Sequence, residues 1–260
     1  MILPIQRVSS KWAKTQVMMA NKRLSMFIPA TQLYSRQALE ELLLLHKTVY
    51  IKPDRGTYGN GVMNVSRDGD TPDTTGIYIL RHGLTSKSCS SLDEVHTAIT
   101  SKIKNRTFIA QQGISMLQYQ GRPFDLRVLT QFSPQRHWET TGIIGRVAAA
   151  GKIITNYHGG GQVQTLRTLL KSYMTDWENG RMELWLNELG RDTARQLQKA
   201  YPRLKEIGLD IAIDEHYQTW ILEVNTLPGI FGFNWLPDKR IYQRIQRYAA
   251  AYGRFSKAKR

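Results

Sequence analysis

The sequence predicts a chain of mixed helices and strands divided into two subdomains, and three observations carry that prediction. Helix-spaced apolar runs alternate with β-branched and aromatic runs along the chain. Gly113 stands just past the strand-like Thr107-Phe-Ile-Ala-Gln111, where a glycine offers a hinge. The 260 residues are 41% hydrophobic and 10% aromatic, which suffices for a substantial core and excludes disorder, collagen and coiled coil. The expected division is a tail over 1–10, a first subdomain over 11–112 and a second over 113–260.

Taken in order, Ser10 caps a helix from Lys11 to about Asn21, and Ser35 caps another across Arg36 to His46. In the second helix Leu39, Leu42, Leu43 and Leu45 supply the apolar face. The period then changes at Thr48-Val-Tyr-Ile-Lys52, which runs into a glycine-punctuated loop and a short strand from Val62 to Val65. Gly76 to Arg81 is a further strand, and a Ser-capped helix spans Leu92 to about Ile103. Beyond the hinge, strands are expected at Phe124 to Phe132, Trp138 to Ala148 and Lys152 to Tyr157. A helix from Glu183 to about Tyr201, with Leu184, Leu186, Leu189, Ala194 and Leu197 as its apolar positions, stops at Pro202. Gly208 to Ile213 and Thr219 to Val224 form a hairpin around the polar Asp214-Glu-His-Tyr-Gln218. An amphipathic helix over Asp238 to Tyr252 precedes a basic, frayed end from Arg254 to Arg260.

Lys and Arg number 36 against 21 Asp and Glu, a formal charge of +15 that suits a nucleic acid, a phosphorylated ligand, an anionic polymer or a membrane surface. The single cysteine, Cys89, excludes an internal disulfide framework and a Cys-based zinc cluster, and it reads as an incidental thiol. No apolar stretch reaches the roughly 20 residues of a membrane span, and the N-terminus lacks the pattern of a signal peptide. The expectation is a soluble cytoplasmic protein.

Ile51-Lys52-Pro-Asp-Arg-Gly56-Thr-Tyr-Gly59-Asn-Gly61-Val62 is a strand that ends in a lysine and three closely spaced glycines. Glycines admit anionic oxygens close to backbone N–H groups, and the lysine adds a mobile charge, so the loop can lie over phosphates. A plain glycine-rich hairpin satisfies the same pattern. It is neither a Walker A loop nor a Rossmann glycine series.

In Trp220-Ile-Leu-Glu223-Val-Asn225, strand alternation points Glu223 and Asn225 to one face, and Asp210 and Asp214 share a face of the preceding strand. Two carboxylates and a carboxamide are hard oxygen ligands, the type that holds Mg²⁺ while phosphates complete its octahedron. A solvated sheet face is the other reading. Arg127 and Arg146, both on strands, are suited to clamping a phosphoryl group or carboxylate, or to simple pairing with Asp125. Asn156-Tyr-His158-Gly-Gly-Gly161 is a second polar, glycine-dense turn. Gly-x-Ser-x-Gly, His-x-x-x-His and Cys-x-x-Cys are all absent, which excludes the nucleophile elbow and the common zinc spacings.

In order, Lys11, Lys52 with its glycine loop, Gln111-Gln-Gly-Ile114, Gly121-Arg-Pro-Phe-Asp-Leu-Arg127, Arg146, Gly208-Leu-Asp-Ile-Ala-Ile-Asp214 and Glu223-Val-Asn225-Thr-Leu-Pro-Gly229 form a series. The series resembles the ATP-grasp superfamily, and most of all the YheC/YheD family of spore-coat-associated ATP-grasp proteins, from about residue 10 to about residue 237. The resemblance implies two α+β subdomains gripping ATP, without most of the usual N-terminal domain. It implies that Lys11 and Lys52 reach the phosphates, that Gly56, Gly59 and Gly61 form the lid loop, and that Gln111, Gln112 and Ile114 lie where the hinge strand holds adenine. Asp210, Glu223 and Asn225 match the metal ligands, and Arg127 and Arg146 match basic positions beside the transferred phosphate or the acceptor.

The activity so implied is an Mg-ATP-dependent carboxylate–amine ligase working through an acyl phosphate on an anionic or peptide-like acceptor. A partner supplying the missing N-terminal domain is compatible with this. The alternative is a non-catalytic structural or binding protein of the spore or of an anionic polymer. No nucleic-acid partner is expected, because Lys239 to Tyr248 reads equally well as the solvated face of a helix.

Overall fold

The computed structural model describes residues 4–56, 59–67, 76–149 and 161–255. Two antiparallel sheets, each with helices packed on it, make up the molecule. Their facing surfaces create the cleft discussed below.

The first sheet has the order β1 (Thr31–Leu33), β6 (Phe108–Gln112), β2 (Thr48–Pro53), β3 (Met63–Arg67), β4 (Tyr78–His82) and β5 (Thr85–Cys89). Strand alternation sends Val49 and Ile51 of β2, with Phe108 and Ala110 of β6, into a core closed by α3 (Arg36–Leu45) and α4 (Leu92–Ile103). Both helices start at serines whose side chains accept a hydrogen bond from the third helical residue, as the sequence predicts. The apolar face of α3 is narrower than expected. Leu39, Leu42 and Leu43 are buried, whereas Leu45 is 78% exposed because the helix ends at that residue. Cys89 is buried in the same core.

The second sheet runs β10 (Gln162–Gln164), β9 (Trp138–Val147), β8 (Arg122–Phe132), β11 (Glu206–Ile213) and β12 (Thr219–Asn225), with β7 (Gln118–Tyr119) paired to β8. On β8, Phe124, Leu126 and Val128 point to one face and pack against α6 (Asp176–Ala200). A capping box at Thr175 and Glu178 starts α6 seven residues before the expected Glu183, and Leu184 is left exposed. On the other face Leu129 and Ile144 meet Phe233, from a short 3-10 helix over Phe231–Trp235, and Ile245, from α7 (Lys239–Ala251). Helix α7 turns Ile245, Tyr248 and Ala249 inward and leaves Lys239, Arg240 and Arg247 to solvent.

The packing of both chain ends bears on the expected organisation. Helices α1 (Lys11–Met19) and α2 (Lys22–Ser25), assigned by sequence to the first subdomain, place Met18 and Leu24 in the core of the second sheet and pack on α6. Ile221 N donates to Phe27 O at 2.7 Å, which binds this segment to β12 as well. Local apolar spacing defines a helix but carries no information about which of two cores receives it. The stretch expected as a tail is also fixed: Gln6 N donates to Arg203 O at 3.1 Å and Val8 N to Thr226 Oγ1 at 2.8 Å. At the other end Arg254, expected to fray, is ion-paired to Glu206. The strand expected at 152–157, the turn at 156–161 except Gly161, and His158 lie outside the described residues.

A candidate nucleotide site between the two sheets

A cavity of about 560 Å³ lies between the sheets. The first sheet contributes Tyr50, Lys52 and Gln111 from the face opposite its core, and the second contributes Asp125, Arg127, Arg146, Asp210, Glu223 and Asn225. The polar lining of the second sheet follows from the period of two, because the same strand that buries Phe124, Leu126 and Val128 must present Asp125 and Arg127 on its other side.

Register joins these side chains into one network. Asp210 on β11 stands opposite Arg127 on β8 and opposite Glu223 on β12, and Asp125 stands opposite Arg146 on β9. Arg127 Nε donates to Asp210 Oδ1 at 2.6 Å, and an Arg146 terminal nitrogen lies 3.1 Å from the same oxygen. Arg146 also grips both oxygens of Asp125, with Nε at 2.7 Å from Oδ1. Asp125 thus pairs with Arg146, while Arg127 takes Asp210. Burial opposes charge on Asp210, but the guanidinium groups of Arg127 and Arg146 outweigh it and hold the carboxyl below its usual range.

Lys11 and Lys52 enter from different elements. Lys11, at the start of α1, donates from Nζ to Gly56 O at 3.0 Å and stands 3.5 Å from Glu223 Oε1. Lys52 is aligned by β2 and donates to Gln111 Oε1 at 2.5 Å, and Gln111 Nε2 in turn donates to Thr31 Oγ1 at 3.0 Å. Burial pushes the Lys52 ammonium down to about 8 against the pull of Glu223. Lys14, one turn beyond Lys11, is likewise lowered to about 8 by burial and donates to Val8 O at 3.0 Å.

The described part of the glycine loop has the backbone its sequence requires. Gly59 and Gly61 adopt φ of +72° and +77°, in the left-handed region that favours glycine. Gly56 also has positive φ and accepts from Lys11. Residues 57 and 58 lie outside the described set. Gly113 serves a different need. A Cβ there would lie 2.9 Å from Thr48 Cβ and from Thr48 O, so glycine allows the chain to cross β2 as it leaves the first sheet. The Gln112 and Gly113 N–H groups donate to Ala30 O and Thr48 O, so those donors serve the sheet, while Gln111, Gln112 and Ile114 are among the residues that line the cavity.

Asp210, Glu223 and Asn225 come together, with Asn225 Nδ2 at 3.4 Å from Asp210 Oδ2 and Glu223 beside them in register. Asp214 does not join them. It organises the β11–β12 turn, accepting from Trp220 Nε1 at 2.7 Å and from the Gln218 backbone at 2.9 Å. The trio supplies only oxygen donors, which fits a hard cation such as Mg²⁺, and with one Asp210 oxygen held by arginines it fits a cation that draws its other ligands from phosphate and water. Among the described residues no cluster of three His, Cys, Asp or Glu side chains offers a competing soft-metal site.

The YheC/D-like ATP-grasp family fits the chain over residues 5–255. The chain belongs to that family. This YheC/D-like ATP-grasp chain is similar to the endospore coat-associated protein YheD of Bacillus subtilis (strain 168), 29% identical over 227 residues, covering 85% of this chain and 48% of the relative. It is also similar to the endospore coat-associated protein YheC of the same organism, 22% identical over 223 residues, covering 84% of this chain and 60% of the relative. The chain therefore spans between about half and three-fifths of the length of these relatives. No helix among the described residues is long and apolar enough to cross a membrane.

Sequence reasoning missed Asp54. This buried residue accepts from Ser10 Oγ at 2.9 Å and from Trp12 N at 2.8 Å, which clamps the N-terminus of α1, and with it Lys11, to the root of the glycine loop. Its position two residues after Lys52 was the available signal. Glu206, fully buried and joined to both Arg7 and Arg254, had no local signal, because its partners are distant in sequence.

Proposed function

We propose that this chain binds Mg-ATP between its two sheets and acts as a carboxylate–amine ligase on an anionic or peptide-like substrate. The observation that carries the reading is the single cavity that gathers two lysines, two arginines and an oxygen-only donor trio from two sheets. In this reading Lys11 and Lys52 neutralise the polyphosphate, the loop with Gly56, Gly59 and Gly61 covers it, and the base lies by Gln111, Gln112 and Ile114. Asp210, Glu223 and Asn225 hold Mg²⁺, which when bound supplies charge neutralisation at the phosphate oxygens. Arg127 and Arg146 stand at the phosphoryl group in transfer. A substrate carboxylate oxygen bonds to the γ-phosphorus as the bond from that phosphorus to the β,γ-bridging oxygen breaks, giving an acyl phosphate and ADP. An amine then bonds to the acyl carbon, phosphate leaves, and the nitrogen gives up a proton. Such transfer needs positioning and charge neutralisation more than a protein nucleophile.

Calorimetry and thermal melts with ATP, with and without Mg²⁺, test the reading, alongside a Glu223→Ala, Asn225→Ala double variant and ADP-release assays on pooled carboxylates and amines. The expected result is a metal-dependent stabilisation lost in the double variant, together with substrate-dependent ADP release. Absence of stabilisation in the parent protein overturns the nucleotide site. Stabilisation without ADP release from any pool favours the second reading, a non-catalytic coat-associated protein, which draws support from the names of both relatives and from the +15 charge.

A further inference from the structure

The cavity is graded from one side to the other. Across the sheet from β12, the inward side chains run Glu223, Asp210, Arg127 and Ile144, and the adjacent row runs Asp125, Arg146 and Val163. Carboxylates thus give way to guanidinium groups, and these to apolar side chains. Leu227 and Phe231, from the segment after β12, join Ile144 and Val163 in the cavity lining.

This apolar end is held in place from below. Phe233 is fully buried and seats where Gly142 leaves room, since a Cβ at Gly142 would lie 2.7 Å from its ring. A Cβ at Gly232 would lie 3.1 Å from Ile144 Cδ1, so the 3-10 turn rests closely on the sheet. With three residues per turn, anchoring Phe233 rotates Phe231 away from the core, where it remains 59% exposed, and Leu227 is 62% exposed. Single exposed hydrophobic residues are ordinary on a surface. Two at the mouth of a cavity, converging with two more from its floor, form a binding wall.

The polar side of the wall has spare donors. Arg127 uses Nε for Asp210, and its two terminal nitrogens have no hydrogen-bond acceptor among the described residues. A guanidinium with both terminal nitrogens available matches a carboxylate.

We infer that this end of the cleft selects a carboxylate substrate whose body is apolar or aromatic, with Arg127 facing the carboxylate and Leu227, Phe231, Ile144 and Val163 enclosing the body. The inference deepens the ligase reading and rests on it. The test is calorimetric titration of the full chain, saturated with Mg²⁺ and β,γ-imido-ATP, using N-acetyl-phenylalanine, N-acetyl-leucine, N-acetyl-serine and N-acetyl-aspartate. The apolar pair should bind about tenfold tighter than the polar pair, the scale of discrimination an apolar pocket reaches. A Leu227→Ser, Phe231→Ser double variant, checked by circular dichroism for an unchanged fold, should lose that preference, and Phe231→Leu should keep it. Equal binding of the four compounds, or a preference that survives in the double variant, overturns the inference while leaving the ligase reading intact. Failure of β,γ-imido-ATP itself to bind overturns both.

Discussion

Asp210 and Arg127 face each other across the pairing of β11 with β8, and Arg127 Nε donates to the Asp210 carboxylate at 2.6 Å. The contact lies where the two functions of the site meet, because Asp210 also stands 3.4 Å from Asn225 in the proposed metal trio. Asp210, shared between Arg127 and Arg146, balances the two guanidinium charges together with Asp125 and fixes where their remaining donors point.

Asp210→Asn should therefore destabilise the fold by about 3 kcal/mol, since buried guanidinium groups lose their counter-charge. Urea unfolding at neutral pH measures it, and an unchanged midpoint would contradict the network. The folded carboxyl is held below its ordinary 3.8, so its contribution is complete above that value and is lost as pH falls through the lower folded value. The variant should accordingly lose less stability on acidification than the parent.

Lys52 is the pH-sensitive group on the opposite sheet. Its folded value of about 8 lies below the ordinary 10.5, so from pH 8 to 10.5 the unfolded chain binds more protons and stability rises with pH through this residue. A bound polyphosphate favours the protonated form. ATP binding near pH 8.5 should therefore take up protons, measured by calorimetry in buffers of different ionisation enthalpy. Lys52→Gln should reduce the uptake, and equal uptake in both proteins would remove Lys52 from phosphate contact.

Glu206 ties the two ends of the described chain together. It pairs with Arg7 at 2.8 Å, with Arg254 and with the Tyr252 hydroxyl, while Arg254 donates to Pro228 O at 2.8 Å and Arg7 to Thr226 O. The loop that follows Asn225 is thus held from both sides. Glu206→Gln should cost about 3–5 kcal/mol, the scale for breaking a buried ion pair. It should also speed amide hydrogen exchange at residues 226–229 more than in α4, and uniform exchange across both would refute a local role.

Gly208 is required by space. A Cβ there would lie 2.6 Å from Pro228 Cβ and 3.1 Å from Arg127 Cδ. Gly208→Ala should cost about 1–3 kcal/mol as an overpacked site and displace Arg127 from Asp210. A melt combined with a crystal structure of the variant tests both effects.

Most elements were legible locally. Ser10, Ser35 and Ser91 start helices where they were expected, because a cap is a bond to a residue three positions away. The hairpin of Asp210 and Glu223 was legible for a similar reason, since a short turn brings neighbouring strands into pairing. Helix α5 (Leu166–Leu170), strands β1 and β7, and the 3-10 turn were not, being too short for a period to emerge, and β5 was not because its exposed Thr85-Ser-Lys-Ser88 carries no apolar alternation.

What the sequence determined by itself is the α+β alternation, the glycine loop, the donor types at the site and the family that the ordered motifs resemble, all of which reside in residue identity and near-neighbour spacing. Tertiary structure decided which core receives α1 and α2, that Arg146 takes Asp125 while Arg127 takes Asp210, and that both chain ends converge on Glu206. Those outcomes depend on register and on burial between residues far apart in the chain, and no local pattern encodes the distance between two such side chains.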